Sequence, residues 1–103
     1  MAKIDYDGVI QAVHYDEQGK IGWVRAFLRR GAVWTDFVKL QRGELVEKIN
    51  SGARIRTGER LHYLGATFKT SYPVELVKAN SHEVILAGDK KSEKDYLEGV
   101  PLI

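Results

Sequence analysis

Cysteine is absent from this 103-residue chain, and its absence removes three chemistries at once. Disulfide cross-links, thiolate metal sites and cysteine nucleophiles all require it. The three histidines, His14, His62 and His82, lie in separate segments without HxH or HxxxH spacing. No transition-metal site and no cofactor are expected from such a set. Phosphate loops of the GxGxxG or GxxxxGK[ST] type and the GxSxG nucleophile elbow are also missing. Asp5 with Asp7, and Asp16 with Glu17, are the paired acids near the N-terminus. Nothing in the local sequence separates their pKa values for acid–base work, so they read as solvated charges. An enzyme is therefore not the expected reading.

Long apolar runs are lacking as well. No stretch approaches the roughly 18–20 residues of a membrane span. Met1-Ala2-Lys3-Ile4-Asp5 has no apolar leader core, so the expectation is a cytoplasmic protein with no membrane partner. Hydrophobic residues make up 44% of the chain, enough for one modest core, and residues 1–103 read as a single domain.

The charge is uneven. The formal net charge is +2, yet residues 20–72 hold eleven Lys/Arg against four Asp/Glu, a local +7. All seven arginines lie between Arg25 and Arg60, while both ends of the chain are acidic. Such asymmetry points toward an anionic partner.

Val9–Tyr15, Ile21–Arg30 and Ala32–Leu40 are rich in β-branched and aromatic residues and read as a three-stranded meander. Gly43–Ser51 changes character: Leu45, Val46 and Ile49 share a helical face, and Glu44 precedes Lys48 by four. A short helix ending at Gly52 is expected there. Strand character returns at Ala53–Arg56, breaks at Thr57-Gly58, and resumes at Arg60–Leu64 and Ala66–Thr70. Val74–Lys78 and Glu83–Ala87 read as a hairpin around a loop at 79–82. Residues 88–95 look like a solvated charged connection, and the apolar tail 96–103 is expected to dock. The sum is a mostly β chain: a small antiparallel barrel or sandwich, of SH3 or OB size, with about six to seven strands and one short helix.

One hairpin carries the sharpest functional expectation. With Arg30-Gly31 as a two-residue turn, Trp23, Arg25, Phe27 and Arg29 face Val38, Asp36, Trp34 and Ala32. The other face carries Val24, Ala26 and Leu28 against Phe37, Thr35 and Val33, and is the cleaner core face. An exposed aromatic and arginine face would suit single-stranded nucleic acid, with bases on rings and phosphates on guanidinium groups. Arg54, Arg56, Arg60 and His62 share strand parity and would add a second basic row. The candidate ligand-binding residues are thus Trp23, Arg25, Phe27, Arg29, Trp34, Arg54, Arg56 and Arg60. A three-residue loop at 29–31 would separate Trp34 from Phe27 and dissolve the patch. Ordinary burial preference would instead place both tryptophans in a core.

These patterns fit two functions. One is a small β module binding an anionic partner, nucleic acid above all, through that face. The other is a non-catalytic interaction or assembly subunit, a homodimer or part of a larger complex, whose second apolar face or Val100–Ile103 tail is covered by another chain. An apolar ligand in a barrel mouth is a third option.

Overall fold

Strict alternation of side chains cannot bury Ile10 with Val13, or Ile21 with Val24, because residues three apart point to opposite faces. All four nevertheless lie in one hydrophobic core, and the way the chain achieves this organises the fold. The structure is a computed structural model describing residues 6–30, 33–35, 37–60, 68–79, 82–88 and 94–103. Its elements are β1 (Gly8–Tyr15), β2 (Ile21–Arg30), β3 (Val33–Trp34), β4 (Val38–Gln41), α1 (Arg42–Asn50), β5 (Ile55–Arg60), β6 (Phe68–Ala79), β7 (His82–Ala87) and β8 (Tyr96–Leu97). The described residues are mostly β with one short helix, as composition and turn spacing predict.

The strands form one sheet in the order β3-β2-β1-β5-β6-β7-β8, with β4 also pairing β2. Among the described residues no pairing closes the sheet into a barrel. It is also not wholly antiparallel, since β1–β5 and β7–β8 are short parallel pairs. The expected third strand, Ala32–Leu40, is split into β3 and β4. The expected break at Thr57-Gly58 is instead strand, and β6 runs unbroken through Ser71-Tyr72-Pro73. The β6–β7 ladder extends to Ala79 opposite His82, two residues expected to lie in the loop. Gly31, Ala32, Asp36, residues 61–64, the loop positions 80–81 and the charged stretch 89–93 lie outside the described residues.

Bulges solve the parity problem. On β1 the pairing steps from Ile10↔Ala26 to Ala12↔Arg25, leaving Gln11 as an extra residue. On β2 it steps from His14↔Trp23 to Tyr15↔Ile21, leaving Gly22 extra. Each inserted residue reverses the facing of the residues beyond it, so Ile10 and Val13, and Ile21 and Val24, turn to the same core. A third irregularity lies in β6, where Arg56↔Pro73 gives way to Gly58↔Thr70. Phe68 consequently joins a second cluster while Val74 joins the main core.

The main core is filled from both halves of the sheet and from the helix. Leu45 of α1, Ile85 of β7 and Leu97 of β8 pack with the β1–β2 residues. Fully burying each such side chain contributes roughly 1.5–3 kcal/mol. At the start of α1, Glu44 Oε1 accepts the Gln41 N–H at 3.2 Å, satisfying a donor the helix cannot. At its end, Gly52 (φ +98°) donates to the Ile49 oxygen and Ala53 to that of Lys48. This is the Schellman closure that a glycine in this position permits.

Asp95 departs from the expected solvated connection. It is buried, with its side chain 1% exposed. Oδ2 accepts from the Ile21 amide (2.9 Å) and from Arg42 Nε (2.7 Å). Oδ1 accepts from the Ile85 amide (2.9 Å) and from an Arg42 terminal nitrogen (3.2 Å). One carboxylate therefore joins β2, β7 and the first residue of α1. Burial pushes its pKa up, but the hydrogen bonds from Arg42, Ile21 and Ile85 outweigh that and hold the group below its ordinary value.

The C-terminal segment follows β8 and lies along β1. The Val13 amide donates to the Pro101 oxygen at 3.0 Å, and the Ile103 amide donates to the Val13 oxygen at 3.0 Å. Leu102 bridges Val13 in parallel sense. Among the described residues, no helix is long and apolar enough to cross a membrane.

Candidate functional site

The β2 hairpin does not adopt the expected register. Arg30 pairs with Val33 and Arg29 with Trp34, while Arg25 pairs with Lys39 and Trp23 with Gln41. The pairing is already displaced by two residues at the turn, and Thr35 marks a further step. Its amide donates to the Leu28 oxygen at 2.8 Å, and its Oγ1 accepts the Leu28 amide at 3.0 Å. A side-chain oxygen thus replaces a ladder carbonyl, and an extra residue is accommodated between Thr35 and Val38. The expected Arg25–Asp36 pairing is replaced by Arg25–Lys39, two cations side by side.

The two faces of β2 separate much as alternation predicts. Val24 and Ala26 enter the main core, and Leu28 packs against it. Val33 and Phe37, expected opposite them in that core, are instead 68% and 50% exposed. The other face divides into a buried end and an open end.

Phe27 and Trp34 occupy the buried end, together with Val9 and Phe68. Their rings form a tilted series: Trp34–Phe68 at 4.4 Å, Phe27–Phe68 at 5.3 Å, and Tyr6–Trp34 at 5.7 Å. Edge-tilted contacts of this kind suit aromatic quadrupoles and mark a small second core. Both residues, proposed from sequence as ligand platforms, serve packing here.

Trp23 and Arg25 occupy the open end. The half-buried Trp23 ring stacks on the exposed His14 ring at 5.5 Å with a 15° interplanar angle. Lys39 Nζ lies 4.8 Å from the Trp23 centroid. Arg25 places its guanidinium carbon 5.2 Å from the Phe37 centroid, and Phe37 rests on Phe27 at 4.5 Å. Both cations are exposed, and neither pairs with a described carboxylate. His14, Phe37 and Lys39 were not among the sequence candidates. The displaced turn register and the irregularities in the ladders bring them to Trp23 and Arg25, and no single residue type announces either.

The remaining arginines lie elsewhere. Arg29 and Arg54 converge on Asp7, at 3.3 Å and 3.4 Å. Asp7 thus neutralises two candidate ligand contacts instead of standing as a solvated acid. Its Oδ2 also accepts the Arg54 amide at 2.9 Å. That backbone hydrogen bond, then the Arg54 and Arg29 charges, hold its pKa below the ordinary carboxylate value against a smaller desolvation effect. Arg56 is half-buried and donates to the Ser71 oxygen at 3.1 Å. The Arg60 backbone pairs with Phe68, but its side chain, like His62, lies outside the described residues. The sequence candidates therefore form no single row: two are packed, two are neutralised by one acid, and Trp23 and Arg25 remain on an open surface.

A cleft of about 440 Å³ also lies between the β5–β6 ladder and residues 98–101. The Tyr72 amide donates to Thr57 Oγ1 at 3.1 Å across its floor. The Tyr72 hydroxyl is hydrogen-bonded to Glu98, whose carboxylate raises the phenol pKa. Three of its polar residues, Thr57, Tyr72 and Glu98, are thus engaged with one another. Compared with known proteins, the chain matches no family model, no curated protein and no solved structure.

Proposed function

We propose that this chain is a binding module for an anionic, base-bearing polymer, single-stranded nucleic acid, held at the open end of the β1–β2–β4 face. The observation behind this reading is the cross-strand pair Arg25–Lys39, each cation poised over an accessible aromatic ring. Like charges placed side by side are unfavourable in the free protein, and a polyanion would relieve that repulsion. Trp23 and Phe37 offer faces on which bases stack, and the two cations would hold phosphates. The ligand-binding set contracts from eight residues to Trp23 and Arg25, joined by His14, Phe37 and Lys39.

Fluorescence anisotropy with a labelled single-stranded oligonucleotide tests the proposal. Binding should weaken steeply with salt, and replacing Arg25 or Lys39 by Gln should each lower the log–log slope by about one unit. No association at low ionic strength ends this reading.

A second reading rests on a separate observation. Val33 and Phe37 are exposed beside β3 and β4, a sheet edge with no described strand beyond it. Open edges with apolar side chains recruit further strands, so an assembly role through a second copy is the competitor. Light scattering that gives a monomer at every concentration would overturn it.

A further inference from the structure

We propose that the segment 101–103 sets the Trp23 surface, with His14 as the positioning residue that transmits its docking. His14 Nδ1 lies 2.8 Å from the Ile103 oxygen. That oxygen can only accept, so Nδ1 is the donor and the imidazole is held in one orientation. The same ring stacks nearly parallel on Trp23. Ile103, His14 and Trp23 therefore form one chain of contacts, running from the end of the tail to the proposed binding surface.

The tail is built to be lightly held. Leu102 is 72% exposed and Ile103 44%, so side-chain burial secures Leu102 little and Ile103 only in part. Residues 101–103 are attached through the main-chain hydrogen bonds that Pro101 and Ile103 make with Val13, next in sequence to His14, and through the Ile103–His14 contact itself. Upstream, Leu97 is buried and Val100 packs against the main core. The segment after Val100 can therefore part from β1 while the rest of the chain stays folded. Segments with few buried contacts and exposed hydrogen bonds open at low free energy. When this one opens, His14 loses the acceptor that orients it, and Trp23 loses a fixed neighbour. The consequence for ligand binding rests on the function proposed above, whereas the coupling itself does not.

Ile103→Pro removes the amide that donates to Val13 and leaves the rest of the sequence intact. Ring nitrogen and indole resonances are followed by NMR on the unliganded protein, in a Trp34→Phe background. The expected result is loss of the hydrogen-bonded Nδ1 signal of His14 together with a shift of the Trp23 indole signal. Leu102→Gln, which keeps every amide, should cause neither. In a His14→Phe background, Ile103→Pro should no longer move the Trp23 signal. An unmoved indole in Ile103→Pro, an equal shift in Leu102→Gln, or a shift that survives His14→Phe overturns the proposal. None of these readouts involves nucleic acid, so failure of oligonucleotide binding would leave the coupling standing.

Discussion

Arg42 and Asp95, fifty-three residues apart, meet in a two-point contact in which Nε lies 2.7 Å from Oδ2. The guanidinium also donates to the Glu83 oxygen at 2.9 Å, so the first helical residue is tied to β7 as well as to the carboxylate. Replacing Arg42 by Met would keep much of its volume but leave a buried charge with only two amide donors. Removing one partner of such a pair typically costs about 3–5 kcal/mol. The urea midpoint of Arg42→Met should fall accordingly at an unchanged m-value. A loss below about 1 kcal/mol would mean that the pair does no more than an exposed ion pair.

The same carboxylates set the acid limb of stability. Asp95 and Asp7 both titrate below their ordinary range in the folded chain. As pH falls through about 4, the unfolded state takes up these protons before the folded state does. Their contribution is therefore complete at neutral pH and is lost through the lower folded values. Denaturation midpoints should be flat above about pH 5 and decline below about pH 4. In Arg42→Met, burial of Asp95 loses its strongest opponent and the folded pKa rises, so Asp95 should contribute less to the decline and the acid limb should become shallower. An acid limb unaltered by that substitution would contradict the assignment.

The legible part of this molecule was its regular part. Alternating Val24, Ala26 and Leu28 identify a core face, and Leu45, Val46 and Ile49 identify the helix, because burial acts on periodic positions. Gln11, Gly22 and the insertion after Thr35 were not legible, since a bulge costs little and can sit at many places along a strand. The difference grew at the site: the turn displaces the pairing by two residues and the insertion after Thr35 by a third, which exchanges Asp36 for Lys39 as the residue beside Arg25. Asp95 was hidden for another reason. A charged residue in a charged stretch reads as solvated until its partners, here Ile21, Arg42 and Ile85, arrive from distant sequence.

Gly58 and Gly43 make opposite predictions from the same substitution. A Cβ on Gly58 would press on the Lys69 carbonyl oxygen and lie 2.9 Å from the Thr70 Cα, both backbone atoms of the paired strand. A ladder cannot yield as a side-chain tip can, so Gly58→Ala should destabilise by about 2–3 kcal/mol or more. Gly43 sits in the first turn of α1 with nothing within 4 Å of an added Cβ. Gly43→Ala should therefore stabilise by about 0.5–1 kcal/mol. Thermal or chemical denaturation of the two variants checks both signs, and equal effects would show that the bulge beside Gly58 is looser than its geometry.

The two tryptophans should separate stability from binding. Trp34 is 9% exposed and wedged between Phe68 and Tyr6. Its replacement by Ala empties the second core, and a cost of roughly 3–5 kcal/mol is expected. Trp23 is only half-buried, and its ring contacts are with His14 and Lys39. Trp23→Ala should cost about 1 kcal/mol in stability, the scale of one aromatic contact. Its effect on oligonucleotide affinity should be larger, roughly 5- to 150-fold, the range for losing one stacked base. Trp34→Phe, which keeps the core filled, should leave that affinity unchanged. The two titrations, with denaturation midpoints measured on the same samples, place each tryptophan. If Trp34→Phe weakens binding while Trp23→Ala does not, the ligand lies on the buried end of the face and the open end is not the site.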